Sequence, residues 1–345
     1  MKGFLVFSLL YFFLCITCCA RSPYRPTDPL APTIITQWQG NTKQYSLSNS
    51  HLQEGPYFHI FDKKYFFDHL LPNNEIVYRH DKKTVTGKSL SILIENFLKE
   101  IKQNQNNFTD FIILKKKDFN WRDHTGLIIA KFKQHPFVLK LFIETPESFV
   151  APLAKGFEPT CFFMMGGGVN RHLIGFTRIQ NLETLQKKVA KNSSWHRYVE
   201  FPRKWFWLSK DTQWITITSK NIGPQKTRSI SIPGTYAIIA DHIDIERMFS
   251  LKNKNDRDIA MQLSNYCKQN IDPHINNYAI EKNTHKIVPI DTEHFPTMVG
   301  YNQAPECNNY LQWYSRLSLK MLKDTLGRNK QERRTSQFKR HRPMG

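Results

Sequence analysis

A chain of 345 residues can build one two-lobed unit or two modest domains, and its 40% hydrophobic and 13% aromatic content excludes an intrinsically disordered protein. The net charge of +20 raises nucleic acid or an anionic surface as a partner. The basic residues are scattered, however, and no zinc finger or aromatic-interleaved basic sheet occurs, so nucleic acid is not the expected partner and a solvated basic surface is.

Met1-Lys2, the apolar run Phe4 to Ile16 and the small residues Cys18-Cys19-Ala20 read as a secretory signal peptide over residues 1–20. The run is shorter than the roughly 20 residues a membrane span needs. A secreted, periplasmic or otherwise extracytoplasmic protein is therefore expected; lipidation at Cys18 or Cys19 fits less well. Outside the signal remain Cys161, Cys267 and Cys307, which allow at most one disulfide and read as small buried hydrophobes. Arg21 to Thr33, with Pro23, Pro26, Pro29 and Pro32, reads as an extended linker. From Ile34 to about Lys83 the aromatic groups at Tyr57–Phe61 and Tyr65–Phe67 must pack on something, but no fold is assignable. Thr86 to Gln103 is a helix whose apolar face is Leu90, Leu93, Ile94, Phe97, Leu98 and Ile101.

Phe111 to Phe142 reads as three strands joined by turns, the second starting at Gly126 and the third running Phe137-Val138-Leu139-Lys140-Leu141-Phe142. Lys140 lies inside an apolar run, where a charge needs a partner or a ligand, unless it sits at the edge of a half-exposed strand. Pro146 to Phe157 is expected to contain a helix. The triple glycine Gly166–Gly168 lacks the residues of a nucleotide loop and reads as a turn before a strand from His172 to Arg178. Leu182 to Ala190 is helical. Within a long insertion, Trp205–Leu208 and Trp214–Thr218 read as a β-hairpin. A buried strand over Gly234 to Asp244 and a helix over Asp256 to Gln269 follow. Glu306 to Leu326 reads as a long helix, and Arg328 to Gly345 as a disordered basic tail that offers contact to an anionic surface.

The stretch Asn270 to Phe295 carries the chemistry. A carboxylate at Asp272 suits the orientation of a hydroxyl, and an amide at Asn277 with a second carboxylate at Asp291 supplies hard oxygen donors for Mg²⁺. Simpler roles exist: Asp272-Pro273 also opens ordinary turns, and Asp291 can cap the end of its strand. His274, His285 and His294 could instead form a transition-metal set, although their spacing is irregular.

Asp272-Pro273-His274-Ile275-Asn276-Asn277 and Ile290-Asp291-Thr292-Glu293 resemble the catalytic and metal loops of the protein-kinase-like superfamily. They are most similar to atypical members such as aminoglycoside phosphotransferases and ubiquinone-biosynthesis kinases, which carry D-x-H-x-x-N followed by I-D-x-E. The resemblance implies an α+β, two-lobed fold. Residues 21–104 would be a linker and N-terminal extension, and 105–240 an antiparallel small lobe with an aromatic insertion. A reduced, mainly helical large lobe would span 241–327, and the basic tail 328–345. It further implies that Asp272 orients the attacking hydroxyl and accepts its proton, and that Lys140 binds ATP phosphates. Glu144, Glu147 or Glu158 would pair with Lys140, Gly126 would lie in the phosphate-covering loop, Asn277 and Asp291 would hold Mg²⁺, and His274 would brace the loop. The implied activity is Mg·ATP-dependent phosphotransfer to a hydroxyl acceptor. The alternative is a catalytically inactive pseudokinase acting as a secreted effector or envelope binding module. Two departures stand out: Asn270 occupies the place where family members usually carry His, and only Gly126 is available in the glycine loop.

Overall fold

The computed structural model describes residues 33–46, 60–116, 118–148, 169–220, 227–299, 305–320, 322 and 343–344. The signal segment, Glu158, Cys161, the triple glycine and most of the basic tail lie outside the described residues. The chain opens with β1 (Thr33–Trp38) and β2 (Asn41–Ser46), joined through Gln39 and Gly40 at positive φ. Helix α1 (Lys63–Asp68) is capped by Asp62, which accepts from the Tyr65 N–H. The short hairpin β3 (Glu75–Val77) and β4 (Thr84–Thr86) leads into α2 (Gly87–Lys102), where the Thr86 hydroxyl accepts from the Ser89 N–H. Strands β5 (Phe111–Lys115), β6 (Phe119–Asn120), β7 (Thr125–Phe132) and β8 (Phe137–Ile143) follow. Then come α3 (Val169–Ala190), α4 (Ser193–Tyr198), β9 (Lys204–Leu208), β10 (Trp214–Lys220), β11 (Thr227–Pro233) and β12 (Thr235–Asp241). The last part holds β13 (Ile245–Met248), α5 (Lys254–Tyr266), β14 (Tyr278–Glu281), β15 (Ile287–Pro289), α6 (Phe295–Val299), a helix α7 over 310–320 and β16 (Pro343–Met344). This is a mixed α+β fold with several antiparallel sheets.

The central sheet has the order β5-β7-β8-β12-β9, with β6 added on β7. Its two faces follow from strand alternation. On one face Ile128, Ala130, Leu139, Leu141, Ala237 and Ile239 pack under the apolar stripe of α2: Leu90, Ile94, Phe97, Leu98 and Ile101. On the other, Phe142, Phe206, Tyr236 and Ile238 pack under α3 through Leu173, Phe176 and Ile179. Close approach of α3 depends on Gly175, since a Cβ there would stand 2.0 Å from the Tyr236 hydroxyl and 3.1 Å from Phe142. That hydroxyl donates to the His172 carbonyl at 2.5 Å. The second sheet, β11-β10-β1-β2-β16, joins the same core through Ile34, Ile215, Ile217 and Ile232.

Two expectations are corrected. His172 to Arg178 is helix, not strand. Every residue from His172 to Ile179 is buried, so this length of α3 shows no 3.6-residue amphipathic period and its apolar run imitates a core strand. The expected hairpin of Trp205–Leu208 with Trp214–Thr218 does not form. β9 pairs with β12, whereas β10 pairs with β1 and β11 in the other sheet. The intervening loop is held open by Glu95 of α2, which accepts from the Lys210 N–H and the Ser209 hydroxyl, and by Thr212, which donates to the Thr235 carbonyl. In the basic tail, Pro343–Met344 pairs with β2, so this part of the expected disordered segment is a strand.

Besides the β1–β10 pairing and the packing of α2, two further ties join the residues before the central sheet to the rest. His69 to Leu71 exchanges backbone bonds with Phe206 and covers the outer edge of β9. The turn after β3 reaches the far hairpin: Arg79 Nη2 lies 3.1 Å and His80 Nε2 2.9 Å from Glu281, a fully buried carboxylate on β14. Arg79 also pairs with Glu200 at 2.8 Å.

Candidate active site

Residues from four distant stretches meet on the α3 face of the central sheet. Leu139 and Leu141 turn toward α2, so alternation puts Lys140 on the opposite face beside Phe142. Lys204, at the start of β9, shares that face with Phe206 by the same parity. Arg178 lies one helical step beyond Gly175, where α3 comes closest to the sheet. The fourth contributor is the segment after β15, from Ile290 to His294.

Asp291 is the meeting point. Lys140 Nζ donates to its Oδ2 at 2.9 Å, and Arg178 Nε donates to its Oδ1 at 3.1 Å. The Arg178 Nη2 also pairs with Glu293. Lys204 Nζ donates to Thr292 Oγ1 at 2.7 Å and to the Ile290 carbonyl at 3.2 Å, gripping the chain on either side of Asp291. The Thr292 hydroxyl in turn donates to the Arg178 carbonyl at 2.7 Å. Asn181 of α3 donates to the carbonyls of Asn270 at 2.8 Å, Thr292 at 3.1 Å and Glu293 at 3.3 Å. One helix thus fixes the Asp291 segment and the start of the Asp272 loop together.

The Asp272 loop is braced from within. The Ser264 hydroxyl donates to the Ile271 carbonyl at 2.7 Å, and the Tyr278 hydroxyl to the Asp272 carbonyl at 2.9 Å. The Asp272 carboxylate accepts from the His274 N–H at 2.9 Å and from Asn277 Nδ2 at 3.0 Å. A single 3₁₀ turn, Ile275–Asn277, closes the loop, and the His274 ring accepts from the Asn276 N–H at 3.4 Å. His274 braces the loop through its backbone N–H and its ring.

Burial and charge pull these groups apart. Burial pushes the Asp272 carboxyl up to about 7, with the negative charge of Asp291 adding to the rise. Burial would raise Asp291 too, but the attraction of Arg178, Lys140 and Lys204 outweighs it and holds Asp291 well below the usual carboxylate range. Burial lowers Lys140, aided by repulsion from Arg178 and opposed by Asp291. Lys204 is lowered to about 7 by burial and then by the charge on Lys140. The site therefore offers one carboxylate held ionised, one poised near neutrality as a proton acceptor needs to be, and cations converging from a strand, a second strand and a helix.

The donor types suit a hard divalent ion. Asn277 gives its amide N–H to Asp272, which leaves its carbonyl oxygen for a ligand, and each Asp291 oxygen has a lone pair beyond its cation contact. Lys140 and Arg178 compete with any such ion for Asp291.

Lys140, Asp291, Asp272 and Asn277 are brought together as one site. Glu147 is not: it pairs with Lys43 of the second sheet, while Asp291 takes the place expected for an acid at Lys140. Glu158 lies outside the described residues. Gly126, at φ +112, answers a local demand, because a Cβ there would meet the Asp118 carbonyl at 2.4 Å. The three histidines do not converge: His285 pairs with Glu246 and His294 with Thr297. Among the described residues no group of three His, Cys, Asp or Glu is placed to hold a metal. Cys267 and Cys307 are buried free thiols, and burial raises Cys267 to about 11. Sequence reasoning does not single out Arg178, Asn181 or Lys204. A cation in the apolar run Leu173 to Ile179 carries the same signal that flags Lys140. No family model, curated protein or solved structure matches this chain.

Proposed function

We propose that this is a divergent, extracytoplasmic member of the protein-kinase-like superfamily that transfers the terminal phosphoryl group of Mg·ATP to a hydroxyl acceptor. The observation that carries the reading is the 2.9 Å contact between Lys140 and Asp291, which are 151 positions apart in the chain. A strand lysine meeting the carboxylate of an I-D-x-E segment is what that architecture requires, and the Asp272–Asn277 loop is tied to the same place by Asn181. Further support comes from the order of elements. In the six-stranded sheet β8 carries the lysine, and β12, its last strand in chain order, leaves through β13 toward the helix that delivers the chain to Asp272.

In this reading Lys140 and Lys204 hold phosphate oxygens. Asn277 and Asp291 would hold Mg²⁺, which supplies neutralisation of the charge on the phosphates. Asp272 orients the acceptor hydroxyl and takes its proton as the oxygen bonds to the γ-phosphorus and the bond to the ADP oxygen breaks.

The test is thermal stabilisation by ATP with and without Mg²⁺, followed by a phosphotransfer assay on Asp272→Ala. Stabilisation by ATP, with transfer reduced about 10²–10⁴-fold in the variant while nucleotide binding persists, is the expected result. No stabilisation in either condition would sink the nucleotide reading. A second reading, a nucleotide-binding pseudokinase that acts as an effector or envelope binding module, is favoured by Arg178, which occupies both Asp291 and Glu293. Binding of ATP without transfer to any hydroxyl or to water would select it.

A further inference from the structure

Asp291 is surrounded by more positive charge than a metal-binding carboxylate needs. Lys140 and Arg178 each hold one of its oxygens, Lys204 adds a third cation beside it, and Glu293 answers Arg178. Three basic side chains therefore gather at Asp291 and Glu293. A dication entering alone meets like charge here, whereas a phosphate group meets donors.

Arg178 itself shows what is missing. It is 3% exposed, with Nε and Nη2 engaged, yet its Nη1 is buried without a hydrogen-bond partner. A buried charged donor left unsatisfied costs more than a neutral one does. Its guanidinium carbon lies 5.5 Å from the centre of the Phe142 ring, and α3 cannot withdraw without breaking the Asn181 contacts. Lys204 uses Nζ on two acceptors, and when protonated, as a neighbouring phosphate favours, it has a third N–H to give. These are pre-oriented donors around a carboxylate whose charge is already balanced.

We infer that Lys140, Arg178 and Lys204 form a cradle that binds the polyphosphate of a nucleotide without Mg²⁺, with the Arg178 guanidinium standing beside Asp291 as a built-in counter-cation. This rests on the reading of the cleft as a nucleotide site and adds that the metal is required for transfer, not for binding. Arg178 is then a residue that sets which form of the nucleotide is accepted: the metal-free form enters as well as the magnesium complex.

Isothermal titration of the full chain with ATP, in EDTA and then in excess Mg²⁺, tests this directly. The two dissociation constants are expected to agree within about threefold. Arg178→Gln is expected to weaken binding in EDTA by about tenfold or more and to leave binding that Mg²⁺ restores. Binding of ATP by the wild type only when Mg²⁺ is present overturns the inference and leaves the kinase-like reading standing. Absence of ATP binding in both conditions overturns both. Tripolyphosphate titrated in EDTA separates the source of the anion: binding as tight as that of ATP supports the cradle and removes the nucleoside from the reading above. The wild-type comparison carries the test by itself if Arg178→Gln does not fold.

Discussion

The two faces of the central sheet are built from the same strands and serve opposite ends. Toward α2 the alternate side chains are Ile128, Ala130, Leu139, Leu141 and Ile239, all apolar and all covered. Toward α3 the positions between them include Lys140 and Lys204, with Arg178 coming down from the helix. Placing three cations under a helix is a poor route to stability, because desolvation offsets most of the Coulomb attraction they find there. The α2 face therefore reads as the part that holds the sheet, and the α3 face as the part that the sheet exists to position.

Substitutions on the two faces should separate these roles. The largest expected loss of stability is on the α2 side. Phe97 is 1% exposed and stacked on Phe111 with centroids 4.4 Å apart, so Phe97→Ala should cost about 3–5 kcal/mol in urea unfolding. ATP affinity of the folded fraction should stay unchanged. A parallel loss of affinity would mean that the faces are not independent.

Gly175→Ala tests the opposite face. Its new Cβ would collide with the Tyr236 hydroxyl, and relief requires either loss of the bond to His172 or an outward shift of α3. Overpacking of this kind costs about 1–3 kcal/mol. The shift should also draw Arg178 and Asn181 away from the Asp291 segment, so affinity for ATP should fall although stability falls less than in Phe97→Ala. Calorimetry on both variants makes the comparison.

The remaining effects are slopes in pH, and they carry opposite signs. Folded Asp272 keeps its proton up to about pH 7 against an ordinary 3.8, so the folded state holds the extra proton and stability falls as pH rises through that window. Folded Lys204 loses its proton near 7 against an ordinary 10.5, so the unfolded state holds the extra proton and stability rises with pH above 7. The site should thus create a local minimum of stability near neutrality. Melting temperatures at about pH 5, 7 and 9 should show that Asp272→Asn removes the falling limb and Lys204→Met the rising one. Phe97→Ala should leave both limbs in place.

Much of the architecture is legible where one face is wet. Helix α2 shows its stripe because its outer residues are polar, and β7 and β8 show theirs because they are long, apolar and bounded by turns. Legibility fails where burial is complete. From His172 to Ile179 no polar face is left to mark a helix, and Arg178 hides in that run. The divergence of β9 and β10 is likewise invisible locally, since Glu95, which holds their loop, is more than a hundred positions away. Glu147 looks suited to Lys140 by its helical context, but Lys43, in a stretch with no assignable fold, takes it first. The Asp272 and Asp291 loops could be read because their chemistry sits in short local patterns. Their dependence on Asn181 could not.

The buried Glu281 has a consequence for dividing the molecule. Its partners Arg79 and His80 precede the central sheet, and the hairpin that carries it follows the Asp272 loop. A chain begun at residue 105 would keep every residue of the candidate active site yet leave that carboxylate without Arg79 and His80, and loss of a buried cation partner such as Arg79 typically costs about 3–5 kcal/mol. It would also strip α2 from one face of the sheet. The candidate site and the smallest piece that can fold are therefore different lengths of chain, and the described residues 60–102 belong to the second.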